Sequence, residues 1–132
     1  MRFLLRFILI LLFSWLLQLF LPFWSVAIVA FVVGLLLSQK RKKRLYGRNT
    51  PPARAFLAGF LAIFLLWGVR ALLLDLGNES LLSLEIFTII FQSPEALPYP
   101  SYVMIALSAT IGGLLGGLSA MSGNLLGEAI QG

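Results

Sequence analysis

QKRKKRLYGRNTPPAR, residues 39–54, carries seven of the ten basic residues of the chain and no acid. Long apolar runs lie on both sides of it. A basic cluster between apolar segments is held on the cytoplasmic side of a membrane, because lysine- and arginine-rich loops are the ones retained there. Placing the loop over residues 39–52 inside orients every other segment.

Composition agrees with a membrane setting. The chain has 132 residues, 60% hydrophobic and 11% charged, with a mean hydropathy of +0.98. A water-soluble domain of this length does not need so much apolar surface. The net charge of +5 comes mostly from the loop, so the pI near 10.3 is a topology signature and no nucleic-acid partner is expected. There is no cysteine, which excludes disulfides and thiol chemistry, and no histidine, the commonest metal ligand and the usual acid–base near neutral pH.

Four apolar segments, over residues 3–21, 23–38, 53–74 and 101–121, are expected to form an all-α polytopic transmembrane helical bundle, one domain over residues 1–132. The first begins just after Arg2, carries Arg6 near its start and is then interrupted mainly by Gln18, which is expected to face other helices. A basic start, an apolar stretch and Ser25-Val26-Ala27 resemble a cleavable leader, but the apolar run resumes at once and continues to Ser38. One continuous helix from 3 to 38 would reach about 54 Å, beyond a ~30 Å core, so Pro22 is expected to close a hairpin. Both termini are then cytoplasmic.

In the third segment Ala55, Ala58, Gly59 and Ala62 recur at spacings of three and four and form a small face that another helix can approach. Phe56, Phe60, Phe64 and Trp67 form a bulkier one. Arg70 is the one charge well inside an expected span. Snorkelling to the outer interface, with Asp75 or Glu79 as partner, is the simpler reading, and a ligand or ion site the sharper one. The outer connection, residues 75–100, holds Asp75, Glu79, Glu85 and Glu95 and no basic residue. Within it LLSLEIFTIIF, residues 81–91, is too short to cross and is expected to be a helix lying at the interface or re-entering it, capped by Asn78 or Ser80.

The fourth segment contains Gly112-x-x-x-Gly116 and Gly113-x-x-x-Gly117. In lipid the hydrophobic effect does not press helices together, so close backbone packing and hydrogen bonds must do it. These glycines are expected to face the small residues Ala55, Gly59 and Ala62, or a second copy of the chain. A pore lined by them is the alternative. Gly123, Asn124 and Gly127 are expected to fray or bend the helix after Met121. Lys40, Arg41, Lys42, Lys43 and Arg44 are a solvated topology signal on the plain reading, and a contact for anionic lipid headgroups on the functional one.

The stretches AFLAGFLAIFLLWGVRALLLDLGNESLLS (residues 55–83) and IGGLLGGLSAMSGNLL (111–126) resemble parts of uncharacterised small four-helix bacterial membrane proteins. The resemblance covers under half the chain. It implies a place in the bacterial inner membrane and carries no activity or site. Small multidrug exporters and fluoride channels have a similar size, but the membrane glutamate of the former and the polar pattern of the latter are missing here.

The sequence holds no nucleophile–base pair, metal-ligand set, phosphate loop or acidic pair inside a span, so neither an enzyme nor a cofactor is expected. The expected role is an accessory, assembly or structural subunit acting through helix packing. Its partners are the bilayer and another membrane protein or a second copy. A small oligomeric transporter or channel is the alternative.

Overall fold

Five helices build the described part of this computed structural model, residues 2–38, 51–92 and 99–131. They are α1 (Arg2–Leu17), α2 (Ser25–Leu36), α3 (Pro51–Gly77), α4 (Leu81–Phe91) and α5 (Pro100–Gln131). There is no strand among the described residues. Lys40, Arg41, Lys42, Lys43 and Arg44 lie outside them, as does Glu95.

The hairpin before α2 forms where Pro22 places it. Leu19 and Phe20 donate to the carbonyls three residues back, tightening the end of α1, and Ser25 N–H donates to Pro22 O (3.1 Å) to start α2. The turn takes residues 18–24 out of helix, so both hairpin helices are shorter than their apolar runs. α1 has 16 residues and α2 has 12, or about 24 and 18 Å. Of the four expected spans, only α3 and α5, with 27 and 32 residues, are long and apolar enough to cross a membrane by themselves.

Both long helices exceed their expected limits. α3 begins at Pro51, in the first turn where the missing N–H of proline is harmless, and runs on to Gly77. Asp75 is thereby a helix residue instead of a loop residue. α5 does not fray after Met121 but continues to Gln131. Gly123 sits against the Phe31 carbonyl and Gly127 against the Leu35 carbonyl, both on α2. That packing outweighs the weak helix propensity of glycine, which costs about 1 kcal/mol per residue.

α1 packs on α2 and α3, and α5 packs on α2 and α3, so the four surround a shared core. Ile10, Val26, Val29, Ala30, Val33, Ala62, Ile63, Leu66 and Ala120 fill it. α1 and α3 run in one direction, α2 and α5 in the other. The buried positions of α5 are Ala109, Gly112, Gly113, Gly116, Gly117, Ala120, Gly123, Asn124 and Gly127, while Ile111, Leu114, Leu115 and Leu118 are exposed. Small residues inside and large apolar residues outside reverse the pattern of a soluble helix.

α4 leans on α5. Its one buried residue is Phe87, which stacks on Phe91; Leu82, Ile86, Ile89 and Ile90 are exposed. Ser80 occupies the N-cap position but does not cap, because its left-handed backbone (φ 60°) turns the hydroxyl toward Asp75 Oδ2 (2.9 Å). Glu79 is left-handed as well (φ 52°). Two such residues in succession fold the chain from α3 back into α4 at a cost of about 1–2 kcal/mol each.

Candidate functional site

Three sets of residues are candidates: the glycine seams of α5, a polar cluster where the start of α1 meets the ends of α2 and α5, and a groove at the opposite end of the bundle.

The first seam joins α5 to α3. Gly112 lies under the ring of Trp67, Gly113 under Phe60 and Gly117 under Phe56. Gly116 meets Ile63 and the carbonyl oxygen of Gly59, and a Cβ on Gly59 would in turn meet the carbonyl of Gly116. Gly59 and Gly116 are therefore where the two backbones touch. Ala55 and Ala62 are fully buried, and Ala62 belongs to the core shared with α1 and α2. Phe56, Phe60 and Trp67 of α3 share this interface with its small residues, since their rings cover Gly117, Gly113 and Gly112. The second seam joins α5 to α2, where Gly34 meets the carbonyl of Ala120 and Gly123 that of Phe31. Thr110 donates to Ala106 O (2.7 Å), within its own helix, so its hydroxyl is taken by backbone.

The polar cluster centres on Arg6, which is only 6% exposed. Its Nη2 donates to the Leu37 carbonyl and to Asn124 Oδ1 (2.5 Å). Asn124, fully buried, passes its own amide to Glu128 Oε1 (2.6 Å), and Ser38 Oγ donates to the Asn124 carbonyl (2.8 Å). The arrangement has a clear physical cause. Leu37 O is one of the carbonyls left without a partner at the end of α2, and a cation is favoured at that negative helix end. The cluster ties three helices together and contains no reactive nucleophile. Arg6 Nε is buried without a hydrogen-bond partner.

At the opposite end of the bundle Arg70 does not pair with an acid among the described residues. Its Nη1 donates to Gln18 Oε1 (3.1 Å), on the turn after α1. Asp75, an expected partner, is engaged elsewhere: its Oδ2 accepts from Ser80 and its Oδ1 from Ser83. Ser83 Oγ lies 2.8 Å from Ser101 Oγ, which links this turn to the start of α5. An open-sided groove of about 640 Å³ runs between the α1–α2 turn, the C-terminal half of α3 and the N-terminal half of α5. Arg70, Gln18, Phe23, Trp67, Ser108 and Leu115 are among its lining residues. A smaller hollow of about 300 Å³ adjoins it at Ala71, Leu74 and Ser108 and continues toward α4.

Comparison with known proteins supplies no relative: no protein-family model, curated protein or solved structure matches the chain. The site must be judged on geometry. The polar cluster is not legible in the sequence while Arg6 counts only as a topology charge and α5 is expected to end at Met121. The signal was present as Gly123-Asn124 and Gly127-Glu128, a small residue followed by a polar one, repeated after four positions. At that spacing both pairs share one helix face.

Proposed function

We propose that the chain is a bacterial inner-membrane protein of four spans, with both termini cytoplasmic, acting as an accessory, assembly or structural subunit through helix packing. One observation carries this reading. Glycine, alanine and asparagine face inward on α5 while leucines and isoleucines cover the outside of every helix, a distribution that suits lipid and not water. α1 and α2 complete the bundle as a hairpin. Their shortness is accommodated by local thinning of the bilayer and by flanking residues reaching the interface. The interior favours a subunit over a conduit, because Gly112, Gly113, Gly116 and Gly117 are each closed over by α3 side chains or backbone. The exposed apolar face of α2, with Ile28, Val32 and Leu36, offers surface for a partner helix.

Reporter fusions at residue 42 and at each terminus are expected to place all three in the cytoplasm; a terminus on the opposite side from residue 42 refutes the four-span topology. Native mass measurement after gentle-detergent extraction is expected to show a stoichiometric second membrane chain or a second copy. A lone monomer that moves solute when reconstituted into liposomes refutes the subunit reading in favour of a transporter.

A further inference from the structure

We propose that the outer groove holds one phospholipid with an anionic headgroup, its phosphate on Arg70 and an acyl chain along Trp67 and Leu115. This rests on the four-span reading, which places the groove in the outer leaflet.

Among the described residues Arg70 is the one charged side chain lining the groove. A guanidinium carries five donors in a planar fork that matches the oxygens of a phosphate. Among the described residues Arg70 uses one of them, on the neutral Gln18, so its charge is left without a counter-ion. Asp75 is no competitor, because both its oxygens accept hydrogen bonds from serines. Arg70 also sits at a suitable depth. It precedes the outer end of α3 at Gly77 by seven residues, or about 10 Å, near the border of the hydrocarbon core. A charge there is costly unless it reaches the interface or meets an opposite charge, and a lipid phosphate is that opposite charge. On the inward side of Arg70 the groove wall is Trp67 and Leu115, an apolar surface against which the start of an acyl chain can lie. Its volume, about 640 Å³, is that of a ligand pocket.

Trp67 makes the site observable. Versions retaining Trp67 alone (Trp15→Phe with Trp24→Phe) or Trp15 alone are reconstituted into phosphatidylcholine bilayers. Each bilayer contains a small fraction of phosphatidylglycerol brominated on its acyl chains, which quenches a nearby indole. Trp15, on the exposed flank of α1, reports bulk lipid. The expected result is Trp67 quenching several-fold above that of Trp15, and no such excess with brominated phosphatidylcholine at the same fraction. Arg70→Gln removes the excess, Gln18→Leu keeps it, and inorganic phosphate in the buffer does not compete. Ser108→Phe, which fills the groove and leaves Arg70 intact, also removes the excess and decides the matter should Arg70→Gln fail to insert. The proposal is overturned if Trp67 merely follows Trp15 or if the excess survives both substitutions. It also falls if phosphatidylcholine gives the same excess or if free phosphate abolishes it. Absence of quenching at Trp15 by any brominated lipid refutes the membrane reading itself, a separate failure.

Discussion

Gly123→Ala is expected to pry α2 from α5 and to lower stability by about 1–3 kcal/mol or more, the range for forcing atoms into a filled interior. The added Cβ has nowhere to go. It meets the carbonyl oxygen of Phe31 far inside contact distance and lies 3.0 Å from the Leu35 nitrogen. Both belong to the backbone of α2, which cannot rotate aside as a side chain can. Gly34→Ala drives a methyl into the Ala120 carbonyl from the other side of the same interface and is expected to cost as much. Gly68→Ala is the internal standard. Its Cβ would lie 3.5 Å from the Ala109 Cβ, an ordinary contact. Exchanging glycine for alanine in a helix gains up to about 0.8–1.0 kcal/mol, so this variant should be as stable as the parent or more so. Thermal unfolding in mild detergent ranks the three. Equal melting of Gly123→Ala and Gly68→Ala would refute the α2–α5 seam.

That comparison also separates what local sequence reveals from what only the fold decides. Spacing alone picks out Gly59 and Gly116, whose backbones meet, and the short helix over residues 81–91 has the bounds its composition suggests. Where α5 ends is another matter. Gly123 and Gly127 weaken a helix in isolation, and only the presence of α2 beside them makes them an interface. The partner of Arg70 is likewise a question of direction. Asp75 is five residues on, which at 3.6 residues per turn points it about 140° around α3 from Arg70. Gln18 comes from a distant part of the chain but reaches Arg70 because α1 and α3 run the same way. Arg6 reads as a topology charge because burial cannot be seen in the first few residues of a sequence. Its acceptors, Leu37 O and Asn124 Oδ1, lie 31 and 118 residues away. Phe87 is hidden among other apolar residues of α4, since hydropathy does not say which of them meets protein and which meets lipid.

The buried cluster gives the second large effect, and its sign pattern identifies it. Asn124→Leu removes the acceptor of Arg6 and the donor of Glu128. A hydrogen bond to a charged group contributes about 1.5–3 kcal/mol, and the guanidinium stays behind in a place where water does not replace the lost partner. Arg6→Met should cost at least as much, because it orphans both Asn124 Oδ1 and Leu37 O and removes the cation from the negative end of α2. With both residues apolar, neither the unpartnered guanidinium nor the orphaned Asn124 Oδ1 remains, and only Leu37 O still lacks its donor. Arg6→Met combined with Asn124→Leu should therefore lose less than the sum of the two single changes, by about 0.5–3 kcal/mol, as groups in one network do. On the proposed topology orientation should not change, because Arg2 and the basic residues of 39–54 are retained as its positive-inside signal. Unfolding of the four proteins in mild detergent measures the cycle, and a reporter at residue 42 checks the topology of each. Strict additivity would mean that Arg6 and Asn124 act independently and that the clasp across α1, α2 and α5 is not a unit.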